Sequence, residues 1–300
     1  MNNSVRVRVP AKVNLALRVG QTDAQGFHEL GTVFQAVSLG DEILAEDAGP
    51  GDFKLAFHGE GAAFLPVDDT NLAMRAAKLL AQHVGRTDVG VHLTVRKRIP
   101  VAGGMAGGSA DAAAVLVACS ALWGLGLSRE ELHTLGAQLG SDVPFMLMGG
   151  TAIGTGRGVD LAPLMTSGTY HWTFALSHSG LSTPAVFREF DKMSQPDDTE
   201  IPHALIEALR AGDAPALGAA LCNDLEAPAI ALQPTLAHTL RLGLEAGALG
   251  AVVSGSGPTC AFLAGSEAHS HELAESLAVF SGVRAVRRAY GPVAGAQVMS

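Results

Sequence analysis

The chain has 300 residues, of which 48% are hydrophobic, 5% are aromatic and 36 are glycine. This length predicts two domains, packed from small aliphatic side chains and joined by many tight turns. The formal net charge of −9 and the absence of any basic run longer than Arg96, Lys97 and Arg98 argue against a nucleic-acid partner. The three cysteines have no disulfide or metal spacing and the start of the sequence has no apolar signal segment, so we expect a cytoplasmic protein with no membrane span.

The first elements in chain order are two predicted strands separated by Pro10. Valines alternate with arginines over residues 5–9, and apolar residues alternate again over 13–19, which is the period of a strand with one buried face. Lys12 and Asn14 share the opposite face of the second strand. The pattern therefore allows one ligand to contact both side chains.

Further elements of the first domain are predicted from apolar period and capping residues. Strands are predicted at 32–39, 43–57 and 89–95, and a helix is predicted at 71–83. Asp69 and Thr70 are the candidate N-caps of the helix. Ser128 and Glu131 have the spacing of a capping box, which predicts a second helix that ends near Gly140.

Residues 100–116, PVAGGMAGGSADAAAVL, place four glycines in a turn between a strand and an Ala-rich helix. Glycine allows close approach to a ligand, and the unpaired first N–H groups of a helix favour an anion. Ser109 and Ala110 stand where a P-loop requires Lys and Ser or Thr, and no register gives the dinucleotide-binding G-x-G-x-x-G. The segment therefore predicts a phosphate site of another type; the alternative is a turn that only lets strand and helix pack closely.

The second half predicts a further domain. A Gly-rich edge strand at 149–159 would close the first domain, and a strand at 171–176 would open the second. A mainly helical region is expected over 182–245, with a break around 195–202. The final third predicts strand, turn, strand, helix, strand from 248 to 289, with SGSGPT at 254–259.

Four segments together carry a family resemblance: PAKVNLAL at 10–17, GFHELGTVFQ at 26–35, PVAGGMAGGSADAA at 100–113 and SDVPF at 141–145. The chain resembles the GHMP kinase superfamily, and within it the kinases that act on 4-diphosphocytidyl-2-C-methyl-D-erythritol in non-mevalonate isoprenoid biosynthesis. The segments LSTPAVF at 181–187 and SGSGPTCAF at 254–262 extend the resemblance over nearly the whole chain.

The resemblance implies a fold and an activity. The fold is α+β in two domains: residues 1–163 as a mixed α/β domain of the ribosomal protein S5 domain 2-like type, and 164–300 as a ferredoxin-like domain. The activity is transfer of the γ-phosphoryl group of ATP, with Mg²⁺, to the 2-hydroxyl of the cytidylyl substrate. The protein would act as a monomer or a homodimer. Another kinase of the superfamily, acting on homoserine, mevalonate or a sugar, and a catalytically silent nucleotide sensor are the alternatives.

The resemblance also implies roles for individual residues. Asp142 would orient or deprotonate the attacking hydroxyl and Lys12 would stabilise the transferred charge, as phosphoryl transfer requires. Without the resemblance, Asp142 is an ordinary turn residue and Lys12 a solvated strand lysine. Asn14 would hydrogen-bond the substrate or Lys12; without the resemblance it is an exposed strand asparagine. Phe27 and Phe187 would stack on the cytosine of the substrate, and His28 would hydrogen-bond to it. Buried core rings are the other interpretation of the two phenylalanines.

ATP would bind along the glycine segment. The implied contacts are Pro100, Val101, Ala102, Gly103, Gly104, Met105, Ala106, Gly107, Gly108, Ser109 and Ala110, with Asn71 near the adenine. Ser109 is also the candidate Mg²⁺ ligand and N-cap. The chain departs from the family pattern at Phe27, where tyrosine is usual, and at Met105, Ala106 and Ala110. We expect alanine to be tolerated in the loop wherever φ is negative.

Overall fold

A computed structural model describes residues 3–193 and 198–299 of the chain. In these ranges the chain forms two β-sheets with helices packed against them. The strands are β1 Ser4–Thr22, β2 His28–Ala48, β3 Phe53–Gly59, β4 Gly90–Lys97, β5 Thr151–Thr155, β6 Asp160–Pro163, β7 Tyr170–Leu176, β8 Cys222–Asn223, β9 Gly250–Val253, β10 Cys260–Ala264, β11 Ala285–Gly291 and β12 Gln297–Val298. The helices are α1 Leu72–His83, α2 Gly107–Leu122, α3 Arg129–Leu139, α4 Val143–Met148, α5 Thr183–Met193, α6 His203–Ala211, α7 Ala214–Ala220, α8 Glu226–Leu232, α9 Thr235–Glu245 and α10 Glu267–Ala278.

The first sheet has the order β12-β1-β2-β4-β3, and β5 continues the pairing along β2 where β4 has ended. Strand β6 pairs with β5, and β8 pairs with β1. Helix α2 lies against this sheet and is buried along most of its length. Its Ala-rich sequence is apolar all round, which suits a helix enclosed on every side.

Strand β1 corrects the prediction of two strands, because it runs unbroken through Pro10. The pairing of β1 with β2 shifts register between Pro10 and Ala11, and such an irregularity accommodates a residue without an N–H donor. Before Pro10 the strand has one buried face, as predicted. After Pro10 both faces are buried as far as Leu17, so Lys12 and Asn14 lie inside the protein.

The helix starts were predicted with mixed success. The capping box of Ser128 and Glu131 is confirmed at the start of α3. Helix α1 is capped by Asn71 and not by Asp69 or Thr70, since the Asn71 side chain accepts the Ala73 N–H at 2.9 Å. Asn71 stands directly before the first helical residue, which is the position where a side-chain oxygen reaches the free N–H groups.

The second sheet is antiparallel in the order β11-β7-β10-β9, and the predicted succession of elements over 248–289 is confirmed. The expected break at 195–202 lies partly outside the described residues. Strands β8 and β12 carry residues of the second half into the first sheet, and the domain division after residue 163 stays a prediction. None of the helices in the described ranges has the length and apolar composition needed to cross a bilayer.

Candidate active site

A cavity of about 470 Å³ gathers the segments that carried the sequence motifs. The predicted site residues that line this cavity are Lys12, Asn14, Asn71, residues 100–104 and 106–108, Asp142 and Phe187. The predicted residues Phe27, His28, Met105, Ser109 and Ala110 are not on its walls. The fold thus brings together the glycine segment, the β1 lysine and the loop before α4, which are far apart in sequence.

The glycine segment ends at the start of α2, which begins at Gly107. No side chain caps this helix, and Gly107 and Gly108 line the cavity, so the first N–H groups are available to an anion. Ser109 is the third helical residue and not the N-cap, which corrects its predicted capping role. Ser109 Oγ lies 3.9 Å from the point that a Cβ atom would occupy on Gly140, which is beside the loop that carries Asp142.

Two alanines of the glycine segment adopt the left-handed region, with φ of 51° at Ala102 and 60° at Ala106. Ala106, which stands where glycine is usual, therefore does not meet the expected condition of a negative φ. An alanine in this region costs roughly 1–2 kcal/mol. Contacts elsewhere must hold the loop in its strained shape.

The SGSGPT segment supplies one such contact. Ser254 Oγ donates a hydrogen bond of 3.1 Å to the Gly104 carbonyl oxygen, and a Cβ on Gly104 would lie only 1.9 Å from the Ser254 carbonyl oxygen. This close approach requires glycine at 104, whose φ is 73°. Gly255 and Ser256 themselves line the cavity, so this segment both supports the glycine segment and forms part of the site.

Lys12 is 4% exposed and donates a hydrogen bond from Nζ to Asn14 Oδ1. Asn14 Nδ2 in turn donates to Thr32 Oγ1 at 2.8 Å, and Thr32 donates to the Ala16 carbonyl at 2.7 Å. This chain of bonds fixes the orientation of the Asn14 amide. Burial lowers the pKa of Lys12, and the negative charge of Asp142 partly opposes this shift; an anion beside Lys12 would favour its charged form further.

Asp142 lies at the start of α4 and is partly exposed in the cavity wall. Its side chain caps no helix N–H, and within the described ranges it forms no ion pair with Lys12, although the two charges interact. The carboxylate is therefore free to accept a hydrogen bond from a ligand. Lys12 and Asp142 together present a cation and a proton acceptor to the same cavity.

The predicted cytosine-binding residues fall into two groups. Phe187 lines the cavity and stacks on His28, with ring centroids 5.3 Å apart and 22° between planes. His28 Nδ1 is 2.8 Å from the Gly20 carbonyl and Nε2 is 3.0 Å from Asp191 Oδ1. Both His28 nitrogens thus have partners, so a bond to a base requires an exchange of partner, and the role stays a prediction.

Phe27 and Asn71 have local roles that the sequence did not indicate. Phe27 is 57% exposed, and the Arg157 guanidinium lies over its ring at 4.2 Å. Besides capping α1, Asn71 donates from Nδ2 to the Pro66 carbonyl at 2.8 Å. Its amide thereby holds the chain beside the cavity, and its contact with adenine stays a prediction.

A buried charge cluster below the start of α2 was not predicted. Lys97 Nζ contacts a carboxylate oxygen of Asp41 and also donates to Asp111 Oδ2 at 2.8 Å and to the Gly107 carbonyl at 3.3 Å. Burial alone would lower the Lys97 pKa, but the two carboxylates raise it above the ordinary value. The cluster ties β2, β4 and α2 together. The only sequence signal was a set of charged residues at the ends of apolar segments.

A second unpredicted group connects the two sheets. Asn223 Nδ2 donates to the carbonyl oxygens of Val253 and Gly255, both at 2.7 Å. Glu226 accepts the Val253 N–H at 2.9 Å, and burial raises its pKa. These bonds hold the strand that leads into SGSGPT. The polar run NDLE between apolar segments was the available signal.

Comparison with known proteins shows the family of this chain. A family model of the GHMP kinases N terminal domain matches residues 71–150, and one of the GHMP kinases C terminal matches 205–281. The 4-diphosphocytidyl-2-C-methyl-D-erythritol kinase of Thermobifida fusca (strain YX) is 56% identical over 304 residues, which cover 99% of this chain and 98% of the relative.

Solved structures of other proteins have the same fold as this chain. A crystal structure of 4-(cytidine 5'-diphospho)-2C-methyl-D-erythritol kinase matches with a TM-score of 0.77 at 34% identity, covering 95% of this chain and 98% of the other. A homoserine kinase from Cytophaga hutchinsonii ATCC 33406 also reaches a TM-score of 0.77, at 20% identity and with 100% and 98% coverage. This second likeness is one of fold alone.

Both family models and the two-sheet fold identify the chain as a GHMP kinase. This confirms the kinase activity and the two-domain α+β fold expected from the sequence. With 56% identity over nearly the full length of both chains, the protein belongs to the family of the 4-diphosphocytidyl-2-C-methyl-D-erythritol kinases. The resemblance seen in the four motifs is thereby confirmed.

Proposed function

We propose that this kinase transfers the γ-phosphoryl group of ATP to the 2-hydroxyl of 4-diphosphocytidyl-2-C-methyl-D-erythritol, giving the 2-phosphate and ADP. The main support for this proposal is that the uncapped start of α2, Lys12, Asp142 and Phe187 all line one cavity. The name of the Thermobifida fusca relative supports the choice of substrate. With this function we also propose a cytoplasmic location and a monomeric or homodimeric state.

The ATP phosphates would lie against the first N–H groups of α2, where the helix dipole favours negative charge. Lys12 would donate hydrogen bonds from its ammonium group to the γ-phosphoryl oxygens as charge develops on them. The Asp142 carboxylate would accept the proton of the 2-hydroxyl while that oxygen forms its bond to phosphorus. The bond from phosphorus to the ADP oxygen breaks in the same displacement.

The residues present fit a magnesium ion held mainly by phosphate oxygens. Among the described residues, no group of three or more histidine, cysteine, aspartate or glutamate side chains is arranged to hold a metal ion. Asp142 and the nearby Ser109 hydroxyl offer oxygen ligands, which Mg²⁺ prefers. When bound there, the ion would neutralise phosphate charge.

The cytidine end of the substrate would stack on Phe187, with Phe27 as the second ring and His28 as the hydrogen-bonding partner of the base. Stacking of one base on an aromatic ring contributes about 1–3 kcal/mol. Asn14 is held by Thr32 and would contact the methylerythritol part. This arrangement separates the recognition of cytosine from that of ATP.

The decisive experiment is transfer of label from γ-labelled ATP, in the presence of Mg²⁺, to a panel of acceptors. The panel contains the cytidylyl substrate, mevalonate, homoserine and galactose. We expect label only in the cytidylyl compound. Label in another acceptor would refute the proposed substrate but keep the kinase, and nucleotide binding without transfer to any acceptor would favour a silent sensor.

A further inference from the structure

Three cationic side chains among the described residues line the cavity: Lys12, Lys97 and Arg157. Lys97 is buried and shared between the carboxylates of Asp41 and Asp111, and Lys12 is assigned to the transferred phosphoryl group. Arg157 pairs with one carboxylate, that of Asp23, and remains partly exposed. The proposed acceptor substrate brings a diphosphate of its own into a protein of net charge −9. Arg157 is thus the cation left for that second group of negative charges.

Arg157 is held in place from several sides. Its Nε and Nη2 donate to Asp23 Oδ2 at 3.0 and 2.6 Å, and Nη2 also donates to Gln25 Oε1 at 2.6 Å. The guanidinium lies over the Phe27 ring at 4.2 Å. Within the described part of the chain Nη1 donates to no residue, so a fixed pair of N–H donors remains for a ligand.

The loop that positions Arg157 is itself ordered by Asp23. Asp23 Oδ1 accepts the N–H groups of Gln25 and Phe27 at 2.8 and 3.0 Å, an arrangement that shapes the turn before β2. One carboxylate therefore fixes both the turn and the guanidinium. Less conformational freedom is then lost when a ligand binds.

The backbone turn that carries Arg157 lies beside the Phe34 ring, which also packs near Lys12. A Cβ on Gly158, the neighbour of Arg157, would lie 3.8 Å from Phe34 Cζ, and Lys12 Nζ is 5.7 Å from the centroid of the same ring. About one phenyl ring thus separates the Arg157 turn from Lys12. In the proposed substrate a short carbon chain separates the 2-hydroxyl from the diphosphate on carbon 4.

We propose that Arg157 is a substrate-binding residue that donates hydrogen bonds from its guanidinium to the diphosphate of the cytidylyl substrate. The inference rests on the proposed function and names the group that recognises the charged middle of the substrate. A planar guanidinium matches the oxygens of a phosphate group, and such charge-assisted bonds are stronger than neutral ones. Lysine at this position would keep the charge but lose the fixed direction of the N–H donors.

The test compares binding of CDP and of cytidine by calorimetry, with a non-hydrolysable ATP analogue present to fill the nucleotide site. The proteins are the wild type, Arg157→Ala, Arg157→Lys and, as matched control, Arg188→Ala. Arg188 is an exposed arginine of α5 that does not line the cavity.

We expect wild type to bind CDP more tightly than cytidine. Arg157→Ala should weaken CDP binding about tenfold or more, leave cytidine binding unchanged and raise the KM of the cytidylyl substrate but not of ATP. Arg157→Lys should recover part of the loss, and Arg188→Ala should change neither ligand.

Equal losses for CDP and cytidine in Arg157→Ala would assign Arg157 to support of the Phe27 turn and overturn the inference. Retention of the preference for CDP in that variant would overturn it as well, while the proposed function stands. A wild-type protein that binds neither ligand and fails to phosphorylate the cytidylyl substrate would refute the proposed function and the inference together.

Discussion

The Asp41–Lys97–Asp111 cluster predicts an unusual dependence of stability on pH. Two carboxylates share one ammonium group in the interior, but they are not equally satisfied. Asp41 Oδ1 accepts the N–H groups of Arg98 and Ile99 at 2.5 and 2.9 Å. Asp111 is 3% exposed, and its Oδ1 has no hydrogen-bond partner among the described residues. Asp111 is therefore the carboxyl group that resists ionisation.

Burial raises the pKa of Asp111 to about 8, against 3.8 for the free side chain. Between these values the folded protein holds a proton that the unfolded chain has released, so stability falls as pH rises, by about 1.4 kcal/mol per pH unit. Asparagine has nearly the same shape and never ionises. Because Asp41 competes for the same ammonium group, we expect only part of the full effect. From pH 5 to pH 8, the unfolding free energy of Asp111→Asn relative to wild type should rise by at least about 2 kcal/mol.

The assay is urea unfolding of both proteins at several pH values, with the difference in unfolding free energy plotted against pH. Asp47→Asn is the matched control, since Asp47 is an exposed residue of β2 that forms no ion pair with the described residues; its difference from wild type should not vary with pH. A difference for Asp111→Asn that does not vary with pH, or that shifts in favour of wild type as pH rises, would refute the reasoning.

Asp142→Asn should lower kcat by at least about 10²-fold, because it removes the proposed proton acceptor, and should leave ATP affinity measured by calorimetry nearly unchanged; retained turnover would exclude the role. Phe187→Ala should raise the KM of the cytidylyl substrate about tenfold, from lost stacking, with the KM for ATP unaffected; equal changes in steady-state kinetics would contradict the division of the site. Ala106→Gly should stabilise the protein by about 0.5–1 kcal/mol in urea unfolding, because relief of positive φ exceeds the added freedom of the unfolded chain. Ala110→Gly, in the interior of α2, should destabilise by about 1 kcal/mol, and a loss of stability in both variants would show that Ala106 is not strained.

The sequence by itself determined the features that depend on neighbouring residues. The alternation in β1 put Lys12 and Asn14 on one face, and the spacing of Ser128 and Glu131 located the start of α3. The glycine segment predicted a turn that leads directly into helix α2, although Ser109 does not cap that helix as predicted. These signals are local because a side-chain period, a cap and a turn are set within a few residues.

Only the tertiary structure decided the features that depend on distant partners. The strained φ values of Ala102 and Ala106 are held by packing such as that of Ser254 against Gly104. The buried Lys97 cluster and the fixed guanidinium of Arg157 join residues that are far apart along the chain. A charged side chain has the same local pattern whether it is solvated or buried, and its pKa and its partners depend on what the fold places around it.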